Sequence, residues 1–320
     1  MDTFQVPQFL RPDNKYIDEY SAQRLSVQAK SGALVRVRRG LYLPADLWNS
    51  YKPWEKYRVT IQAVHELAQN PPVFARESAA QIMGLPLLRI PQEVQSVLPP
   101  TAKGGQSSHG VRRVLAVEGD SPPWRMFGLL VTPPPQVARD LAIRLPLTHA
   151  LPVMDKVLSH HILPGSPPHT QLNFTENHVI ASTALLKSAV QRTRVERVVR
   201  LANGSSESAG ESWSRAIMIL NGFPSPFLQQ AFWDDRGFIG LPDFDWEEFK
   251  VLGEFDGYEK YSGQKYLKGK TPSEVVVAEK IREDRLRARG YRVVRWVWDD
   301  LRDARRLVAL LHAAGLPSNK

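Results

Sequence analysis

The spacing of hydrophobic and polar positions changes several times along the 320-residue chain, and each change predicts an element. Residues 18–30 repeat at helical spacing and stop at Ser31-Gly32, a small residue and a glycine of the kind that follows a helix C-terminus. The next stretch, ALVRVRRGLYLP, alternates instead. Leu34, Arg36 and Arg38 share one face, Val35 and Val37 the other, and Arg39-Gly40 turns the chain into Leu41-Tyr42-Leu43. A helix followed by a basic hairpin is the outline of a winged helix.

Beyond Tyr51 the pattern predicts helices near 54–69, 77–83, 134–144 and 147–159 and strands near 94–98, 111–117 and 126–131. Thr132 is placed to cap a helix that opens on Pro133. A helical stretch at 174–202 carries Lys187, Arg192, Arg194, Arg197 and Arg200. Pro-, Gly- and Ser-rich runs at 163–169 and 202–211 mark boundaries. The reading is a multidomain α+β / α/β chain: a winged helix at 1–50, a mixed α/β region at 51–165, a helical connector at 166–205 and an α/β core at 206–320.

In the last segment a helix starts at Glu211 and ends at Asn221-Gly222, followed by strand-like stretches at 227–233, 237–246 and 250–258. With Trp246 to Phe249 as a four-residue turn, Asp245 faces Lys250, Asp243 faces Leu252, and Glu254 lies diagonally across from Asp243. Period-two alternation then puts Asp243, Asp245, Glu254 and Asp256 on one face and Phe244 and Phe255 on the other. Four carboxylates on one face repel unless something neutralises them. An oxygen-preferring divalent ion, Mg²⁺ or Mn²⁺, is the simplest remedy; Lys250 and nearby arginines are the alternative. A helix from Thr271-Pro272 to Gly290, a strand at 291–297 and a further helix complete the chain, with Glu279, Arg282 and Glu283 on neighbouring helix positions.

Charge narrows the partners. The chain has 42 Lys and Arg against 33 Asp and Glu, a formal net charge of +9, which favours a polyanion such as DNA. The absence of cysteine excludes disulfides, thiolate zinc sites and a cysteine nucleophile. The histidines lack ligand spacing, and there is no glycine-rich phosphate loop. With no signal-like start and no long apolar run, a cytoplasmic, non-membrane protein is expected.

The series Pro242-Asp243, Glu254-Phe255-Asp256-Gly257, Arg282, Leu286, Gly290 and Arg295 resembles the restriction-endonuclease-like PD-(D/E)XK superfamily, nearest its very-short-patch-repair-like branch. The phrases VRVRRGLY, ESAAQIMGLPLL and VTPPPQVARDLA are similar to those of AbiEi-type antitoxins. Together the resemblances cover most of the chain. They imply a metal-dependent nuclease fold with Asp243, Glu254 and Asp256 as the acids and Glu211 as an outlying acid; Asp243, Glu254 and Glu211 would hold the metal. The superfamily usually has Lys where Asp256 stands, so Lys260 or Lys280 would assist the attacking water. Arg282 and Arg295 would bind phosphate or brace the site, and Lys30, Arg36, Arg38 and Arg39 would contact DNA from the winged helix.

The expected function is thus a DNA-binding, metal-dependent endonuclease. The alternative is a transcriptional regulator or antitoxin that keeps a non-catalytic nuclease fold. The antitoxin resemblance leaves room for a cognate toxin and for a homodimer.

Overall fold

The computed structural model describes residues 5–12, 21–98, 109–159, 174–257 and 272–319. The chain is a mixed α and β protein that divides into two compact units, Met1–Ile143 with His161–Val195, and Arg144–His160 with Glu196–Lys320. No helix among the described residues is long and apolar enough to cross a membrane.

The first unit begins with α1 (Ala22–Lys30), the hairpin β1 (Leu34–Arg38) and β2 (Leu41–Pro44), α2 (Ala45–Ser50) and α3 (Pro53–Leu67). Ser21 caps α1 by accepting the Arg24 N–H. In the hairpin Val35 faces Leu43 and Arg36 faces Tyr42, with an irregularity before Arg38. Phe9, Leu41 and Leu43 share a core with Val59 and Ala63 of α3, so the hairpin's apolar face is completed by a helix beyond residue 50. The expected boundary there is not a gap in packing.

There follow β3 (Val73–Phe74), α4 (Arg76–Met83), β4 (Val94–Leu98), β5 (Val111–Leu115), β6 (Trp124–Met126), β7 (Leu129–Val131) and α5 (Pro134–Arg144), whose strands form a five-stranded sheet in the order β5-β4-β3-β7-β6. The single strand expected at 126–131 is two, because Phe127 and Gly128 both take left-handed φ and turn the chain back. Thr132 does not cap the next helix: its N–H donates to the Phe74 carbonyl, and its buried hydroxyl has no hydrogen-bond partner among the described residues. Buried Arg139 joins Asp120, Asp140 and the Ser182 carbonyl.

After α6 (Leu147–Leu158), the continuous helix expected at 174–202 is broken into α7 (Glu176–Thr183) and α8 (Ala189–Leu201). Ser188 restarts the chain by accepting the Gln191 N–H on its hydroxyl and the Arg192 N–H on its carbonyl.

In the second unit α6 packs on α9 (Ala209–Leu220), tied by Asp155 to Arg215 at 2.7 Å. The elements β8 (Phe227–Leu228), β9 (Phe232–Asp234), β10 (Gly237–Gly240), β11 (Phe244–Trp246), β12 (Val251–Asp256), α10 (Pro272–Ala288), β13 (Arg292–Val297), α11 (Trp298–Arg302) and α12 (Ala304–Ala313) follow. The main sheet runs β13-β12-β11-β8, with β12 and β13 parallel and joined through α10, while β9 and β10 form a separate hairpin.

Alternation divides the sheet's residues between two cores. Phe244, Trp246, Val251, Phe255 and Trp296 pack with Ile217, Leu301, Leu307 and Leu311. Leu252 points the other way, to Phe232, Ile239, Leu286 and Tyr291. Gly210 and Gly253 are required by close packing: a Cβ on Gly210 would lie 2.0 Å from the Phe255 ring, and one on Gly253 2.5 Å from Trp296.

Candidate functional site

The acidic strand pair has a different register from the one expected. Asp245 pairs with Leu252 and Trp246 with Val251, so the turn is Glu247–Lys250, a 3-10 turn closed by Lys250 at φ 50°. Trp246 belongs to the strand because its ring stacks on Phe244 and its indole N–H donates to the Pro224 carbonyl at 2.8 Å. The shift is two residues, which preserves face parity. Asp245 still shares a face with Glu254 and Asp256, and continuing the register sets Asp243 directly across from Glu254 rather than diagonal to it.

Asp243 stands just before β11. One carboxylate oxygen accepts the Phe255 N–H at 2.8 Å, and the other accepts the Gln229 side-chain amide at 3.2 Å. The same Gln229 nitrogen donates to Glu211 at 3.3 Å, so one amide links an acid on α9 to the acid before β11. Glu211 also accepts the Glu207 N–H at 2.9 Å. Burial, and then the charge of Asp243, push the Glu211 carboxyl up to about 7.

Glu254, 3% exposed, is neutralised differently. Parallel pairing of β12 and β13 sets it beside Arg295, which approaches to 2.9 Å, and Arg282 reaches it from α10. Arg295 also meets Asp256 at 3.6 Å, Glu283 at 3.3 Å and Glu279, and Arg282 meets Glu279 at 2.7 Å. Burial acts to raise the Glu279 carboxyl, but hydrogen bonds from Arg282 and Arg295 outweigh it and hold it at about 2. Burial likewise opposes the Arg282 charge, and the pairs with Glu279 and Glu254 overcome it and raise its pKa.

Asp245 faces the same side but is buried, with one oxygen lacking a hydrogen-bond partner among the described residues, and burial followed by Glu247 raises it to about 6. The face therefore resolves into an acid pair, Glu211 and Asp243, and an arginine-bound cluster around Glu254. Among the described residues no three Asp, Glu, His or Cys side chains form a group that could hold one ion. Two carboxylates with water and phosphate oxygens completing the shell are a donor set of the kind Mg²⁺ and Mn²⁺ accept.

Lys280 is exposed on α10, and Lys260 lies outside the described residues. In the first unit Lys30, Arg36 and Arg39 are exposed, whereas Arg38 is half-buried and donates to the His109 carbonyl at 2.8 Å. Gln229 lies outside the residues that the sequence pattern singles out. Its only sequence signal is the Gln229-Gln230 interruption of an apolar stretch, which says nothing about a partner before β11.

No protein-family model matches the chain. Two proteins of Mycobacterium tuberculosis, uncharacterized protein MT2308 of strain CDC 1551 / Oshkosh and uncharacterized protein Rv2248 of strain ATCC 25618 / H37Rv, are each 26% identical over 178 residues, or 56% of this chain. The chain spans 58% of the length of these relatives. Among solved structures it is similar to the RV2827C protein of Mycobacterium tuberculosis, with a TM-score of 0.35 and 14% identity, covering 66% of this chain and 76% of that one.

Proposed function

We propose that the chain is a DNA-binding protein whose second unit is a restriction-endonuclease-like, Mg²⁺- or Mn²⁺-dependent phosphodiesterase. The observation that carries this reading is the pair Glu211 and Asp243, two carboxylates from different elements held to one Gln229 amide. Two acids so placed repel, and a divalent ion relieves the repulsion while offering open positions to phosphate oxygens and water. In support, the element order of helix, strands, crossover helix and parallel strand matches what the resemblance implies. The ion, once bound, would polarise the phosphate and lower the pKa of a bound water. The chain's own residues hold the acids apart from the arginines: Phe255 N–H orients Asp243, and Glu207 N–H orients Glu211. The exposed Lys30, Arg36 and Arg39 would carry phosphate contacts to duplex DNA.

A second reading rests on Glu254. Its two arginine partners, and Asp256 at the position the superfamily gives to Lys, suit a nuclease fold retained as a non-cleaving platform in a DNA-binding regulator of antitoxin type.

The two readings part on supercoiled plasmid incubated with Mg²⁺ or Mn²⁺. The first expects nicking by the native chain and none by folded Asp243→Ala or Glu211→Gln. Absence of nicking with retained duplex binding leaves the second.

A further inference from the structure

The β9-β10 hairpin has two unlike faces. Phe232 and Ile239 turn inward to Leu252, Leu286 and Tyr291, while Trp233 and Phe238, directly opposite each other, point outward. Their rings meet edge to face with centroids 5.1 Å apart, yet Trp233 is 58% and Phe238 48% exposed.

The backbone beneath these rings is fixed. Arg285 of α10 donates to the Asp234 carboxylate at 2.8 Å and to the carbonyls of Gly237 at 3.0 Å and Phe238 at 3.2 Å. Arg289 donates to the Trp233 carbonyl, and the Arg236 N–H donates to Asp234 at 2.8 Å. Arg285 also neutralises Asp234; Arg289, exposed, is held at the Trp233 backbone, and exposed Arg236 follows exposed Asp235 in the turn between the rings' strands.

Leaving large aromatic surface in water opposes folding. Holding it there on a clamped hairpin is preorganisation for a ligand. About half of two rings, each of roughly 150–250 Å², gives an area far below the roughly 800 Å² per partner of a stable protein interface. It is instead the size of one or two nucleobases, and the flanking guanidiniums match a polyanion.

We propose that Trp233 and Phe238 form a stacking site for unpaired bases of single-stranded DNA, with Arg236 and Arg289 serving its phosphates. The inference deepens the DNA-binding reading above, adding a contact separate from both the acids and the basic hairpin of the first unit.

Fluorescence anisotropy of the full chain in metal-free buffer, against labelled oligo-dT and a blunt duplex, tests it. Trp233→Ala and Phe238→Ala are each expected to weaken oligo-dT binding about tenfold, Trp233→Phe to stay near native, and duplex binding by all three to hold. Circular dichroism checks folding, which these outward positions should not disturb. No oligo-dT binding by the native chain, or unchanged binding in both alanine variants, overturns the proposal. So does a dimer that Trp233→Ala splits, by sedimentation velocity, while oligo-dT affinity is kept, since that makes the surface a protein interface. If duplex binding is absent but oligo-dT binding falls in the alanine variants, the stacking site stands and the basic-hairpin reading fails.

Discussion

Glu254 and Arg295 are register partners on adjacent parallel strands, and their side chains meet at 2.9 Å with Glu254 almost fully buried. Removing the Glu254 charge takes from Arg282 and Arg295 their most buried partner and leaves them to Glu279, Glu283 and Asp256. Glu254→Gln is expected to cost about 1–3 kcal/mol, measured by urea unfolding at neutral pH. Glu279→Gln, at the exposed end of the same cluster, is expected to cost under about 1 kcal/mol.

The acid pair gives a pH signature. Glu211 titrates at about 7 in the fold against 4.5 in the unfolded chain, so folding favours its protonated form. The stability it contributes is complete below the unfolded value and is lost as pH rises through about 7. Glu211→Gln, which keeps an acceptor for the Glu207 N–H, is therefore expected to match the native protein near pH 4. By pH 8 it should be more stable by up to about 3 kcal/mol. Thermal melts across that range check it; Mg²⁺ should raise the melting temperature of the native chain at pH 8 and leave the glutamine variant unmoved.

Much of this site was legible in the sequence and part was not. Alternation placed Asp245, Glu254 and Asp256 on one face, and that survives because the register moved by two, an even number. The register moves because Trp246, which apolar spacing assigns to the turn, is kept in the strand by stacking on Phe244. Local pattern cannot reveal that Arg295 lies beside Glu254, since that requires pairing strands separated by a whole helix. The Gln229 amide was equally hidden, because its role comes from α9 and β11 converging. In the same way Phe127-Gly128 folded one expected strand into two by a pair of left-handed residues that apolar spacing does not report.

Gly210 is a packing requirement on the helix that carries Glu211. A methyl there would sit 2.0 Å from the Phe255 ring, on the strand that carries Glu254. Gly210→Ala is expected to destabilise by about 1–3 kcal/mol and to lower metal affinity by moving Glu211. Urea unfolding and Mn²⁺ binding on the same preparation would register both.

The arginines of the first hairpin are not equivalent. Arg36 and Arg39 are exposed, and Arg38 is spent on the His109 carbonyl. Changing Arg36 and Arg39 together to Ala should flatten the salt dependence of duplex binding by a slope of about two. Arg38→Ala should change that slope little and lower stability instead. Equal slopes for the double variant and the native chain would remove the hairpin from the interface.

The most direct test of the account is a calorimetric titration of Mn²⁺ into the full chain at pH 8. One ion per chain is predicted, abolished by Asp243→Asn and retained by Glu279→Gln. No binding, or binding that survives Asp243→Asn, would contradict the assignment of Glu211 and Asp243 as the cation site.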